Sequence, residues 1–567
     1  MYREHQSTSQ TGLKMKLCDA IARWCAEIRT PFVAGIPAAG ILDIAESLAK
    51  LPGSPVPFVL TRHEEGAAFM AYSYAFHARQ PAVVMASKAP GSTNLAIGVA
   101  GAFIESLPML VITQQASNEH DRLEAFEEVD LAKLFEPITK WSVQANNPKR
   151  VMSMLNEAYR RTLAGRPGPV HVALPCNFMS CEIEEPAAPS TPRAATRICD
   201  EQLEPIVAAL RGAERPLIIA GGGLPARCEG SLLALAETLQ TPIVASWLRK
   251  PVTDAHPNLL GIAGIGGSPA ARTAIAQADV ALVLGCRFSE QMTEHYHMHF
   301  AQGARLIHVD LDPAVIARVF AVAFGVVADI ADVLPQLREA VAASSVPLAA
   351  ARRTWLARLQ AEQAGYRKHL DAQATPPPAI GGREVVRELR RALPRDSRLV
   401  LDSGNYLHWA EQYFPVTGAG QFHYPTSGTM GFGIPGAIGA KFAHPDTLVC
   451  ALVGDGGFAM TMGELETAKR LGLGILVVII NNGMLGHIRM RQDQRFGRNI
   501  GSRFTEQHFQ HVPRAFGMLA EEADSPESLR RAVDRAVARV RDGETVVIDA
   551  IVTDELAPGP LEPWWKA

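Results

Sequence analysis

Two short runs in the last quarter of the chain could do chemistry together. Gly454-Asp455-Gly456-Gly457 sets one carboxylate in a glycine turn, and Asn481-Asn482-Gly483 sets an amide beside another glycine. Asp455 and Asn482 are 27 residues apart. A carboxylate and an amide oxygen make a small, hard oxygen set. That set suits Mg²⁺, which demands near-octahedral geometry and fills its shell with water and substrate phosphates. Flanking glycines let backbone N–H groups come close to phosphate oxygens. A lone Gly-Asp-Gly would be read as an ordinary acidic turn. The longer glycine run, the interval and the Asn-Asn-Gly together point to a magnesium-bridged diphosphate.

Those residues need strand ends to hold them. The aliphatic run 448–453 ends at the glycine turn, and Ile475–Ile480 ends at the asparagines. Between them the pattern predicts a helix from about Thr461 through Arg470, closed by Gly472 and Gly474. A strand, a crossover helix and a second strand bring both strand ends to one rim of a parallel sheet. Similar runs recur at 82–87, 109–113, 216–220, 242–246, 280–285, 305–312 and 398–402, separated by helical patterns. Continuous aliphatic runs of this kind indicate strands buried on both faces. The expected fold class is α/β, with three doubly wound parallel-sheet domains.

Two linkers divide the chain. Residues 182–197 are rich in Pro and Ala, and residues 371–383 contain three consecutive prolines, which favour extended geometry. The expected domains are 1–183, 198–345 and 376–567. The composition is 47% hydrophobic and 20% charged, with a net charge of -3, so nothing in bulk favours nucleic acid or an anionic membrane. Eight cysteines without a CxxC pair argue against zinc, redox motifs and a disulfide framework. The polar N-terminus has no apolar signal core, and the longest apolar run, 319–328, is too short to span a bilayer. The expected location is the cytoplasm.

The whole pattern resembles the thiamin diphosphate enzymes of the acetolactate synthase/pyruvate oxidase/benzoylformate decarboxylase family. The resemblance runs in the family's order: a pyrimidine-binding domain, a Rossmann-like central domain and a diphosphate-binding domain. It implies that Asp455, Asn482 and the Met484 carbonyl ligate Mg²⁺. Gly404, Asn405 and Tyr406 of DSGNYLHW would contact the cofactor, as would Gly454, Gly456, Gly457 and Leu485. RHEEGAAFMAYSYA (62–75) looks like the family's RHE-x-G-A stretch, so Glu64 would touch the pyrimidine ring and share a proton with it. SGTMGFGIPGAIGAK (427–441) looks like the loop beneath the cofactor. Met430 would be the apolar wedge that bends the cofactor, and the Gly428 carbonyl would accept from its amino group. In this family the acid and the metal ligands come from different subunits, which implies a homodimer or homotetramer with active sites at the subunit interface. The implied substrate is a small anionic 2-oxo acid.

Departures from acetolactate synthase bear on the substrate. Lys88-Ala89-Pro90-Gly91 stands where that enzyme has SGPG, and Phe126-Glu127-Glu128 where it has FQE. Lys88 could anchor an anion or pair with Glu127. Gln291 stands at the place of a central-domain arginine, and Arg491 at the place of a tryptophan. His487 lies in the same segment and is a candidate for substrate contact or proton transfer. The central domain keeps GGG at 221–223 and HVDLDP at 308–313, which resemble the region that holds FAD in some members, although the altered 286–293 segment counts against FAD here. The readings left open are a 2-oxo acid decarboxylase or carboligase, a true acetolactate synthase, a sulfoacetaldehyde acetyltransferase-like enzyme, and a catalytically silent cofactor-binding scaffold. Pocket shape is set by loops that include 35–40, 484–500 and the C-terminal EPWWKA.

Overall fold

Near-continuous aliphatic runs become central strands because helices cover both of their faces, leaving no solvent side with which to alternate. In the computed structural model, three six-stranded sheets form in this way, and every strand pair within them is parallel. The structure describes residues 14–38, 40–53, 55–184, 195–372, 379–505 and 507–553. EPWWKA at the C-terminus lies outside them, as does Ala39 of the 35–40 loop. The chain folds as two units, residues 1–192 and 193–567.

The first unit holds one sheet, whose strands run spatially as Phe58–Leu60, Val33–Gly35, Ala82–Ala86, Met109–Gln115, Pro169–Pro175 and Ser142–Gln144. Numbered along the chain, that order is 2-1-3-4-6-5. The last sheet of the second unit repeats it with Phe422–His423, Arg398–Leu401, Val449–Gly454, Ile475–Asn481, Val546–Ile551 and Leu519–Ala523. The middle sheet is different. Leu259–Ile262, Ile243–Ala245, Pro216–Ala220, Val280–Leu284, Arg305–Asp310 and Phe324–Val327 give 3-2-1-4-5-6, the Rossmann order. The expected α/β class with three doubly wound parallel sheets is what the chain forms.

This topology places the site. In a doubly wound sheet a crevice opens at the carboxyl ends of the two strands where the winding reverses. In the last sheet those strands are Arg398–Leu401 and Val449–Gly454, which pair side by side. Asp402–Gly404 and Asp455 follow them directly.

Three local expectations need correction. The helix after the glycine turn starts at Asp455, not near Thr461, and runs Asp455–Thr461; a second helix, Glu464–Arg470, follows after Met462-Gly463. Glycine's poor helix propensity was overridden because Gly457 must be small: a Cβ there would come 2.8 Å from Asp402 Oδ2. The first linker is not irregular throughout, since Glu182–Glu184 pairs antiparallel with Lys14–Lys16. The second is helical at both margins, with Ala351–Ala372 entering it and Gly382–Ala392 leaving it.

The first sheet also contains an acid-sensitive element. His171 is fully buried, its two ring nitrogens 2.8 Å from the hydroxyls of Thr113 and Ser142, and it stacks on Phe135. Burial pushes its pKa down from 6.5 to about 3. Between those values the unfolded chain takes up a proton that the folded chain refuses, so stability is lost as pH falls through that window. Thermal midpoints of wild type should therefore drop more steeply from about pH 6 to about pH 4 than those of His171→Gln. Equal slopes would show that this imidazole does not govern acid stability.

Candidate active site

The second unit encloses a cavity of about 430 Å³ at the predicted strand ends. Gly404, Asn405, Tyr406, Gly428, Met430, Gly454, Asp455, Gly456, Gly457, Asn482, Met484, Leu485 and His487 all line it. Asp455 is buried, and its carboxylate oxygens accept from Gly456 N (2.7 Å) and Met484 N (3.0 Å). Burial raises its pKa, while the backbone N–H groups oppose that rise. The two asparagines divide their tasks. Asn481 donates to buried Asp549 at 3.0 Å and ties two strands together, whereas Asn482 faces the cavity. Gly486, which opens the helix Gly486–Phe496, leaves room for that amide: a Cβ would come 2.9 Å from Asn482 Nδ2.

The loop beneath Asp455 is held from the neighbouring strand. Asp402 accepts from Ser403 N (2.6 Å), Gly431 N (3.1 Å) and Gly433 N (3.0 Å), and Thr461 Oγ1 donates to Gly431 O at 2.7 Å. Gly428 and Gly431 adopt left-handed backbone, with φ of +74° and +83°, where a side chain would be strained. Met430 is thereby set over the glycine turn, its Cε 3.2 Å from where a Gly456 Cβ would stand. Tyr406 Oη accepts from Gly454 N at 3.0 Å and so ties the two strand ends together.

His487 Nδ1 lies 2.7 Å from Asn405 Oδ1. With the amide oxygen accepting, Nδ1 carries the proton. Burial and the neighbouring Arg491 push His487 down to about 4, so it is neutral at pH 7 and Nε2 is an acceptor. Gln291 and Arg491, the two departures in type, line this same cavity together with His408, Trp247 and Ile265. Asp402, His408, Trp247 and Ile265 were missed as site residues. For Asp402 the available signal was the Asp-Ser-Gly at a strand end. The other three had none, because only folding brings them to the cavity.

In the first unit Glu64 begins the helix Glu64–Ala78, with His63 as its cap. It is 8% exposed and accepts from Asn94 Nδ2 at 3.0 Å. Gly91 leaves space for it, since a Cβ would come 2.7 Å from Glu64 Oε1. The structure thus brings together the acid of the 62–75 stretch and the loop at 88–94. Lys88 does not form the expected ion pair with Glu127. Its Nζ donates instead to Phe126 O at 3.1 Å and sits 5.7 Å from the Phe126 ring centroid, while Ala89 N donates to Glu127 O. The reason is local: Glu128 clasps the amides of Arg122 and Ala125, and the chain at Glu127 turns left-handed, which presents its carbonyls to the Lys88 loop.

In the central sheet, the glycines at 221–223 serve close packing. Gly221 N donates to Leu284 O and Gly223 N to Gly285 O, and a Cβ on Gly221 would be 2.1 Å from Gly285 O. Among the described residues no cluster of three His, Cys, Asp or Glu side chains could hold a metal, and no helix is long and apolar enough to cross a membrane. A mixed set of the residue types that Mg²⁺ takes is gathered at the cavity instead, with the Asp455 carboxylate, the Asn482 amide and the backbone of Met484 beside glycines.

Comparison with known proteins bears on this geometry. Residues 15–134 match the thiamine pyrophosphate enzyme N-terminal TPP binding domain, 203–337 the central domain, and 402–550 the C-terminal TPP binding domain. The chain is 30% identical to the acetolactate synthase large subunit of Lactococcus lactis subsp. lactis, over 95% of this chain and 92% of that protein. It is 30% identical to the probable acetolactate synthase large subunit of Methanocaldococcus jannaschii, over 97% and 94%. It is 29% identical to acetolactate synthase isozyme 1 large subunit of Escherichia coli, over 93% of each. With all three domains matched in order and relatives similar along the whole chain, this protein belongs to the thiamine pyrophosphate (thiamin diphosphate) enzymes.

Proposed function

We propose that the protein is a Mg²⁺-requiring thiamin diphosphate enzyme that releases CO₂ from a 2-oxo acid. It then protonates the acyl unit or joins it to an acceptor carbonyl, as an acetolactate synthase-like carboligase. We further propose that it works in the cytoplasm as a homodimer or homotetramer built from domains 1–183, 198–345 and 376–567, with the first domain of one copy and the last of another completing each site. The observation that carries this reading is the single cavity that gathers Asp455, Asn482 and Met484 around a glycine rim, with Met430 in its wall.

When bound, the cofactor supplies a thiazolium that stores the electron pair left by CO₂. The chain's own residues do the rest. Asp455, Asn482 and the Met484 carbonyl hold Mg²⁺. The turns at Gly404–Tyr406 and Gly454–Gly457, with Leu485, receive the diphosphate. Met430 props the hinge, and the Gly428 carbonyl accepts a hydrogen bond. Glu64, contributed by a second copy, holds a proton beside the pyrimidine ring. The apolar walls exclude water. Lys88, Glu127 and neutral His487 would act on the substrate rather than the cofactor, His487 as an acceptor at Nε2. The amides of Gly221 and Gly223 already serve the chain's own carbonyls, which favours a reading without FAD.

A panel of 2-oxo acids, scored for CO₂ release with and without acceptor aldehydes, tests this. Release from at least one member is expected. Acetolactate as the sole product from pyruvate would make the protein a true acetolactate synthase. Phosphate-dependent consumption of sulfoacetaldehyde would favour the acetyltransferase. Bound cofactor with no turnover of any member would leave a silent scaffold and overturn the proposal.

A further inference from the structure

Charge is distributed very unevenly around the cavity. Among the described residues that line it, Asp455 is the only acid and Arg491 the only lysine or arginine. Asp455 belongs to the metal end. The two histidines do not add positive charge at neutral pH, because burial pushes both His487 and His408 down to about 4. The rest of the cavity wall is apolar or neutral, with Trp247, Ile265, Ile488 and Gln291 among its residues. Arg491 stands four residues after His487 on the helix Gly486–Phe496, so the two share a helix face. It is half-buried. A half-buried guanidinium in such a wall is a polar group of the kind that fixes ligand orientation in an otherwise apolar pocket.

The chemistry restricts what that cation can hold. The carboxylate of a 2-oxo acid departs as CO₂, and its charge leaves it as the bond breaks. A cation that grips this group stabilises the ground state more than the transition state and slows the reaction. The useful partner is an anionic group that keeps its charge throughout. We propose that Arg491 anchors such a retained group, a carboxylate or sulfonate carried either at the far end of the donor or on the acceptor. This rests on the cavity being the place where the 2-oxo acid reacts. It deepens that reading by naming the substrate class: a partner with a second, permanent negative charge.

The test uses full-length protein loaded with thiamin diphosphate and Mg²⁺, as wild type, Arg491→Gln and Arg491→Lys. For the donor arm, kcat/KM is compared for 2-oxoglutarate and pyruvate. For the acceptor arm, ligation to glyoxylate is compared with ligation to acetaldehyde. In one arm Arg491→Gln should lower the ratio of charged to uncharged partner by about 10- to 100-fold, the scale for losing a charge-assisted hydrogen bond, mainly through KM. Arg491→Lys should recover part of it, as a point charge without the planar fork. The arm that responds identifies the source of the anion. Ratios unchanged in both arms would overturn the proposal while leaving 2-oxo acid cleavage intact. Calorimetry with succinate and ethanesulfonate decides the matter independently of turnover. Binding to wild type that is lost in Arg491→Gln supports the anchor even if no panel member releases CO₂; no binding, or equal binding, overturns it. Cofactor affinity is measured in parallel, and a loss as large as that for the small anions would assign Arg491 to the diphosphate and overturn the proposal.

Discussion

Asp455→Ala is expected to lose Mg²⁺ and thiamin diphosphate together, with cofactor affinity at saturating metal falling roughly 100-fold or more. Even removing a residue that only orients a metal ligand typically weakens metal affinity by roughly 10- to 100-fold, so deleting a ligating carboxylate should do at least as much. The fold should survive. Asp455 accepts from two backbone amides, at Gly456 and Met484, and the helix it opens is also held by Asp402 and Thr461 through the Gly431–Gly433 turn. Far-UV circular dichroism should therefore match wild type while calorimetric cofactor binding disappears. Asp455→Asn discriminates further. It keeps the shape and one oxygen but removes the charge, so binding should weaken and be partly restored by raising the Mg²⁺ concentration. Unchanged cofactor affinity in Asp455→Ala would remove this carboxylate from the metal site.

How much of this could be read before folding depends on where each interaction is encoded. That Asp455 and Asn482 meet at one cavity was legible because each ends a buried strand beside glycine and a single crossover joins the two strands. Parallel sheets with helices on both faces were legible for the same kind of reason, from uninterrupted aliphatic runs. The Asp-Ser-Gly marks Asp402 as a strand end, but not its role of receiving the amides of Gly431 and Gly433 about thirty residues away, which no local pattern shows. The pairing of Lys88 with Glu127 rests on opposite charge and on the proximity of their loops in the family fold. Charge says nothing of the left-handed turn at Glu127, which sends Lys88 to a carbonyl and an aromatic face instead. Gln291 and Arg491 could each be noticed as unusual residue types. That they line one cavity, although they come from the turn after Val280–Leu284 in the middle sheet and from the helix Gly486–Phe496, follows only from the packing of those elements.

Glu64→Gln should leave cofactor affinity near wild type yet slow proton removal from the cofactor's reactive carbon by about 10²-fold or more, the usual scale for losing a positioned acid–base group. Glutamine has the same length, and its amide oxygen can still accept from Asn94 Nδ2, so the pocket beside Gly91 stays filled. What it lacks is a transferable proton. The carboxyl of Glu64 is buried at the start of its helix, between Asn94 and Gly91, and is the group proposed to face the ring nitrogen. The direct readout is hydrogen–deuterium exchange at that carbon, followed by proton NMR after rapid acid quench, with no substrate present. Because nothing but the cofactor and the protein takes part, a slow rate cannot be blamed on a poorly chosen 2-oxo acid. Glu64→Asp separates charge from reach: it retains the acid but shortens it by one methylene, so exchange should fall between wild type and Glu64→Gln. Exchange in Glu64→Gln at the wild-type rate would mean that another group supplies the proton, and the buried acid would then be no more than the start of a helix.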